Sequence, residues 1–151
     1  DKPVWQATQG LLRVGVKAPA GKAWASSPGS DAPLSRQADF EAPADIGRRY
    51  GRVSGDMNPI HLSAVSARLL GFKRAIAHGM WTKARALAAL LPQRPVAAAT
   101  VAVEFKTPLL LPATASLWVA RQQRDMQFEV RDSKGQKPHL RGQLHFGDSS
   151  P

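Results

Sequence analysis

The chain has 151 residues, 43% of them hydrophobic, which is enough for one domain with its own core and no covalent staple. It contains no cysteine, which excludes disulfides, thiolate zinc sites and cysteine nucleophiles. Its 21 Lys and Arg against 11 Asp and Glu leave a formal charge of +10, a surface that favours anionic partners.

Residues 4–14 have some strand character, with Trp5, Ala7 and Leu11 on one parity, blurred by Gly10 and the Leu11-Leu12 pair. The opening Asp1-Lys2-Pro3-Val4-Trp5 is unlike a signal peptide, and a chain that opens on Asp reads as a piece of something longer. A cytoplasmic address is the default expectation, and no apolar run approaches the roughly 20 residues of a membrane helix, so no membrane partner is expected. Residues 18–38 turn to Ala, Pro, Gly and Ser without apolar periodicity, the composition of a linker or irregular loop. The expected division is therefore a strand-like segment with linker over 1–38, a folded domain over 39–147 and a tail over 148–151.

A short strand is expected over 38–41, and Pro43 suits the first turn of a helix in which Ile46, Tyr50 and Val53 recur at helical spacing. Gly47 and Gly51 weaken that helix by roughly 1 kcal/mol each relative to alanine, so it must lean on packing. Pro59 forbids continuation and makes 56–61 a loop; Ser63 then N-caps a second short helix through Leu70, closed by Gly71. The third helix is the clearest: Met80, Ala84, Leu87, Ala88 and Leu91 form its expected buried side, and Pro92 stops it after about 13 residues, or roughly 20 Å. Beyond it period two takes over. Val101, Val103 and Phe105 alternate with Ala102 and Glu104; Ala113, Ala115, Leu117 and Val119 alternate with Thr114, Ser116 and Trp118. Met126, Phe128 and Val130, then Leu140, Gly142, Leu144 and Phe146 after a Ser133-Lys134-Gly135 turn, repeat the pattern. Each strand has one wet face. The fold class is α+β, an antiparallel sheet packed on the third helix.

Chemistry concentrates in Tyr50-Gly51-Arg52-Val53-Ser54-Gly55-Asp56-Met57-Asn58-Pro59-Ile60-His61 and in His78-Gly79-Met80. A carboxylate and an imidazole can share acid–base work on one water, and Asp56 and His61 are the pair best suited to it. Separated across Pro59, they meet only if the loop folds to converge them. Gly79 opens a helix, where free amides and the dipole suit a developing negative charge. A lone Gly-Asp-x-Asn-Pro segment is nonetheless more often a structural turn than a site. His139 and His145 fall on the polar parity of the last strand and are expected to face solvent. No metal site is expected, because Asp56, Asn58 and His61 lack a credible further ligand. Neither a Gly-x-Ser-x-Gly elbow, a phosphate-binding loop nor a dinucleotide fingerprint is present.

The weight shifts to catalysis through a resemblance. Ser54, Gly55, Asp56, Asn58, Pro59, Ile60 and His61, preceded by an aromatic residue and followed by His78-Gly79, match the signature of the MaoC-like dehydratases. That family includes (R)-specific enoyl-CoA hydratases, and the similarity spans roughly residues 40–146. It implies a hot-dog fold, an antiparallel sheet wrapped around a long central helix, and a hydro-lyase that interconverts trans-2-enoyl and (R)-3-hydroxyacyl thioesters. By the same resemblance Asp56 and His61 are the catalytic pair and the Gly79 N–H binds the thioester oxygen. Asn58, Pro59 and His78 shape the loop, and Met80 and Trp81 line the acyl pocket, Trp81 restricting chain length. A homodimer is implied, and no metal or redox cofactor. Between Asp56 and Glu104 there is no acid, only Arg68, Lys73, Arg74, Lys83, Arg85 and Arg94, which suits an acyl-CoA or acyl-carrier-protein thioester. Nucleic acid is a weaker fit, since the cations are scattered and the RNP, zinc-finger and KH signatures are missing. A hot-dog thioesterase and a non-catalytic acyl-CoA or acyl-carrier-protein binding unit stay open as alternatives.

Overall fold

A computed structural model describes residues 4–10 and 32–147. Strand β1 (Ser35–Ala42) is followed by helix α1 (Ile46–Ser54), a 3-10 turn (Pro59–His61), α2 (Ala64–Leu69) and α3 (Gly79–Leu90), then β2 (Ala99–Phe105), β3 (Ala113–Gln122), β4 (Asp125–Asp132) and β5 (Pro138–Phe146). The strands form one antiparallel sheet in the order β1-β3-β4-β5-β2, with β1 and β2 at its edges.

Alternation decides which face of the sheet is covered. Phe40 and Ala42, Ala115, Leu117 and Val119, Phe128 and Val130, and Leu140 and Leu144 are buried together, and Trp81, Ala86 and Leu90 of α3 close the core over them. Gly142 sits among them because a Cβ there would collide with the Phe128 ring. Among the described residues, no helix is long and apolar enough to cross a membrane.

Four expectations need correction. β1 begins at Ser35, inside the stretch expected to be linker, because its pairing with β3 runs out to Val119. Residues 4–10 form no strand and are exposed; the rest of that expected strand, 11–14, lies outside the described residues. The face of α3 is also different: Trp81, Thr82, Ala86 and Leu90 are buried, while Met80 and Leu91 of the expected stripe are 52% and 41% exposed. With only Lys83 and Arg85 to mark a polar side, this helix carries too little contrast to fix its own rotation. The large Trp81 ring, packed edge-on against Phe40 at 6.0 Å, turns it.

The outer face of the sheet, finally, is not uniformly wet. Ser116 and Glu129 are buried there. Ser116 Oγ donates to the Asp132 carbonyl at 2.7 Å and accepts from Trp118 Nε1 at 2.9 Å. Glu129 lies between two guanidinium groups: Arg131 Nε donates to it at 2.6 Å, and Arg141 Nε forms an ion pair at 2.7 Å that is not aligned as a hydrogen bond. The Arg131 guanidinium also stacks over Trp118 at 4.7 Å, so paired charges and an aromatic plate replace water on this face.

Candidate active site

The loop after α1 is built by glycines. Gly55, at φ 78°, ends the helix in the left-handed region and returns its N–H to the Gly51 carbonyl at 2.9 Å, reversing the chain into Asp56. Gly47 and Gly51 are the buried residues of α1. A Cβ on Gly47 would collide with the His61 carbonyl, and one on Gly51 would stand 2.8 Å from the Asp56 carbonyl. What helix propensity marks as a weakness is the surface against which the loop lies.

Within the loop, the Asp56 carboxylate accepts the Asn58 N–H at 3.2 Å, and Asn58 Oδ1 accepts the Ile60 N–H at 3.2 Å. Asn58 thus caps the 3-10 turn that Pro59 opens, and that turn delivers His61. Arg48 Nη1 fastens the far end by donating to the Leu62 carbonyl at 2.9 Å.

Asp56, His61 and His78 converge. His61 Nε2 lies 4.0 Å from Asp56 Oδ2, and His78 Nε2 lies 3.8 Å from the same oxygen. The two imidazoles stack with centroids 3.6 Å apart, and Tyr50 leans on His78 at 5.0 Å. His61 Nδ1 is 2.8 Å from the Ile76 carbonyl, an acceptor only, so Nδ1 carries the proton and Nε2 presents a lone pair toward Asp56. Burial lowers the His61 pKa from 6.5; the Ile76 bond and Asp56 raise it and His78 lowers it, with a net downward shift that keeps the ring neutral. A gap of 4.0 Å is one that a single water bridges with two hydrogen bonds of about 2.8 Å.

His78 Nε2 donates to the Asp56 backbone carbonyl at 3.0 Å, which ties the helix entry to the loop 22 residues away. Its Nδ1 is buried with no partner among the described residues, a cost of about 1–3 kcal/mol of the kind that collects at functional sites. His78 also supplies the further donor that sequence reasoning did not find: Asp56, His61 and His78 offer ligand-type atoms all within 4.8 Å. The nitrogen of His78 facing Asp56, however, carries the proton it gives to the Asp56 carbonyl and has no lone pair free. The hydrogen bonding suits a proton-handling pair better than a three-ligand metal site.

A cavity of about 400 Å³ adjoins this cluster, lined by His61, Gly79 and Met80 among others. Gly79 is the first residue of α3, so its N–H has no partner inside the helix. The Phe105 ring covers this glycine, a Cβ on which would come within 2.8 Å of it. Trp81 is turned away into the core against Phe40 and is not among the lining residues. The expectation that it shapes the pocket alongside Met80 therefore fails, for the reason that it also sets the rotation of α3.

His139 departs furthest from expectation. It is half-buried and lines the cavity with Lys106 and Thr107. Its polar parity was legible in the sequence, but the pairing of Phe105 with Leu140, which sets 106 and 107 beside 139 and 138 at the start of β5, was not. His145 is exposed as expected, paired with Asp125 at 2.7 Å.

Comparison with known proteins places this geometry. The family model described as MaoC like domain matches residues 26–142. A curated relative, 3-hydroxyacyl-thioester dehydratase X of Mycobacterium tuberculosis (strain ATCC 25618 / H37Rv), is 45% identical over 98 residues, covering 65% of this chain and 34% of the relative. A crystal structure of HtdX from Mycobacterium tuberculosis superposes with a TM-score of 0.65 at 36% identity, covering 74% of this chain and 48% of that one. The chain thus spans about a third of the curated relative and about half of the solved one. The unliganded R-hydratase PhaJ1 of Pseudomonas aeruginosa, at 23% identity and a TM-score of 0.60 over 78% of this chain and 81% of its own, shares the architecture, which is the hot-dog fold.

Proposed function

Because this chain belongs to the MaoC-like domain family, we propose that it is a hydro-lyase that interconverts trans-2-enoyl thioesters and (R)-3-hydroxyacyl thioesters. The observation that carries the reading is the 4.0 Å approach of Asp56 Oδ2 to a neutral His61 Nε2, at a cavity that His61 lines together with Gly79 at the start of α3. The 3-hydroxyacyl-thioester dehydratase named among the relatives supports the substrate class.

In the hydration direction, Asp56 and His61 hold one water. Its oxygen bonds to C3 of the enoyl group as the C2–C3 π pair moves toward the thioester carbonyl. The water proton passes to the Asp56–His61 pair, which returns a proton to C2. The thioester oxygen carries the transient negative charge, and the Gly79 N–H stabilises it; one such donor is worth about 2.7 to 4 kcal/mol in the transition state. Asn58, Pro59 and His78 keep the pair in register. No metal or redox cofactor is assigned, since both proton transfers are carried by side chains already in place. A CoA or acyl-carrier-protein thioester as substrate, pairing with a second hot-dog unit as a homodimer, and a cytoplasmic address belong to the same proposal.

Loss of enoyl absorbance on incubation with crotonyl-CoA tests it, with chiral analysis of the product. Formation of (R)-3-hydroxybutyryl-CoA is expected. Release of free thiol without hydration would identify a thioesterase instead, and binding without turnover a non-catalytic carrier-binding unit.

A further inference from the structure

We propose that His139 is a second recognition residue of this cavity, its Nε2 accepting a hydrogen bond from an amide N–H of the pantetheine arm that CoA and acyl carrier protein share. The inference rests on the thioester reading above and adds where the arm is held.

His139 is built as a presented acceptor. Its Nδ1 lies 3.1 Å from the Thr107 carbonyl and 3.2 Å from Thr107 Oγ1. That hydroxyl donates its own hydrogen to the Pro138 carbonyl at 2.6 Å, so Nδ1–H is the donor and the ring is locked in orientation and tautomer. Nε2 makes no hydrogen bond among the described residues and is not fully buried, and His139 lines the cavity. Burial holds the His139 pKa below 6.5, together with Lys137, which lowers it, and against the Thr107 and Pro108 backbone groups and Asp132, which raise it. The ring is neutral at physiological pH, and Nε2 offers a lone pair.

The cavity lining is mixed in polarity. Ile76, Ala77 and Leu109 are apolar, whereas Lys106, Thr107 and His139 are polar and adjoin one another, Lys106 N–H donating to the His139 carbonyl at 2.9 Å. A hydrocarbon acyl tail laid against the polar part would leave the imidazole nitrogen without a partner, at a desolvation cost. An amide-bearing arm satisfies it.

The test compares substrates on one enzyme. His139→Asn keeps a donor for the Thr107 carbonyl but removes the distal acceptor; His139→Gln restores an oxygen near the position of Nε2. With crotonyl-pantetheine, crotonyl-CoA and crotonyl-acyl carrier protein, His139→Asn is expected to raise KM roughly five- to tenfold with kcat within twofold, the range of one neutral hydrogen bond. His139→Gln recovers most of that loss. S-methyl crotonothioate, which has no arm, shows no KM change. An effect confined to crotonyl-CoA or to the carrier-protein substrate would place the contact outside the shared arm and overturn the inference. So would an unchanged KM on an active parent, or an equal loss on the methyl thioester. A parent inactive on all four substrates would instead remove the functional reading itself.

Discussion

At the residue scale the site depends on which nitrogen of each imidazole is free. The Ile76 carbonyl fixes the proton of His61 on Nδ1, and burial keeps the ring neutral. A base that must be neutral loses activity as it is protonated, so the acid limb of kcat/KM is expected below pH 6.5, with a plateau above it. A pH–rate profile whose acid limb lies above 6.5 would contradict this. The same shift has a consequence for stability. His61 and His139 both have folded pKa values below 6.5, so on acidification the unfolded chain takes up their protons first. Their contribution is complete above about pH 6.5 and is lost as pH falls from there toward the folded values. Tm is therefore expected to fall between pH 7 and 5.5; a rise over that interval would count against it. Asp56, Asn58 and His61 were legible as residues because their spacing is a local pattern. His139 was not, because its place depends on how β2 is registered against β5.

At the element scale α1 shows why helix propensity is a poor guide here. Gly47 and Gly51 look like defects in a sequence read by itself, yet they are the face that receives the Asp56–His61 loop. Gly47→Ala, which propensity alone scores as a gain of about 1 kcal/mol, is expected to destabilise by about 1–3 kcal/mol through the clash with the His61 carbonyl, and to lower kcat as His61 shifts. Denaturant unfolding together with the hydration assay checks this, and a stabilised, fully active variant would refute the packing role. The strands were readable because period two gives each of them a strong apolar side. The rotation of α3 was not, because Ala84, Ala88 and Ala89 on its exposed side look as apolar as the Ala86 that is buried.

At the scale of the whole molecule the formal charge of +10 is distributed unevenly. No ion pair joins Arg68, Lys73, Arg74, Lys83 or Arg85 to a carboxylate among the described residues, so the elements around the site carry an uncompensated positive field. Such a field draws in a polyanionic substrate, and it fades as the screening length drops below about 10 Å. KM for crotonyl-CoA is expected to rise severalfold between 50 and 500 mM salt, roughly the range over which that length shrinks, while KM for S-methyl crotonothioate stays level. Parallel behaviour of the two would remove the field from the account. The overall architecture was legible as element order and periodicity. The covered outer face of the sheet was not, because Glu129, Arg131 and Arg141 read as wet residues until strand pairing brings them side by side.

The central claim is that Asp56 and His61 act on the same water, and kcat for crotonyl-CoA hydration by Asp56→Asn, His61→Ala and the double variant tests it most directly. Each single substitution is predicted to lower kcat at least about 100-fold while the protein stays folded, and the double variant to lose little more than the worse single one, as groups that work as a unit do. Single variants with parental kcat, or losses that multiply in the double variant, would contradict it.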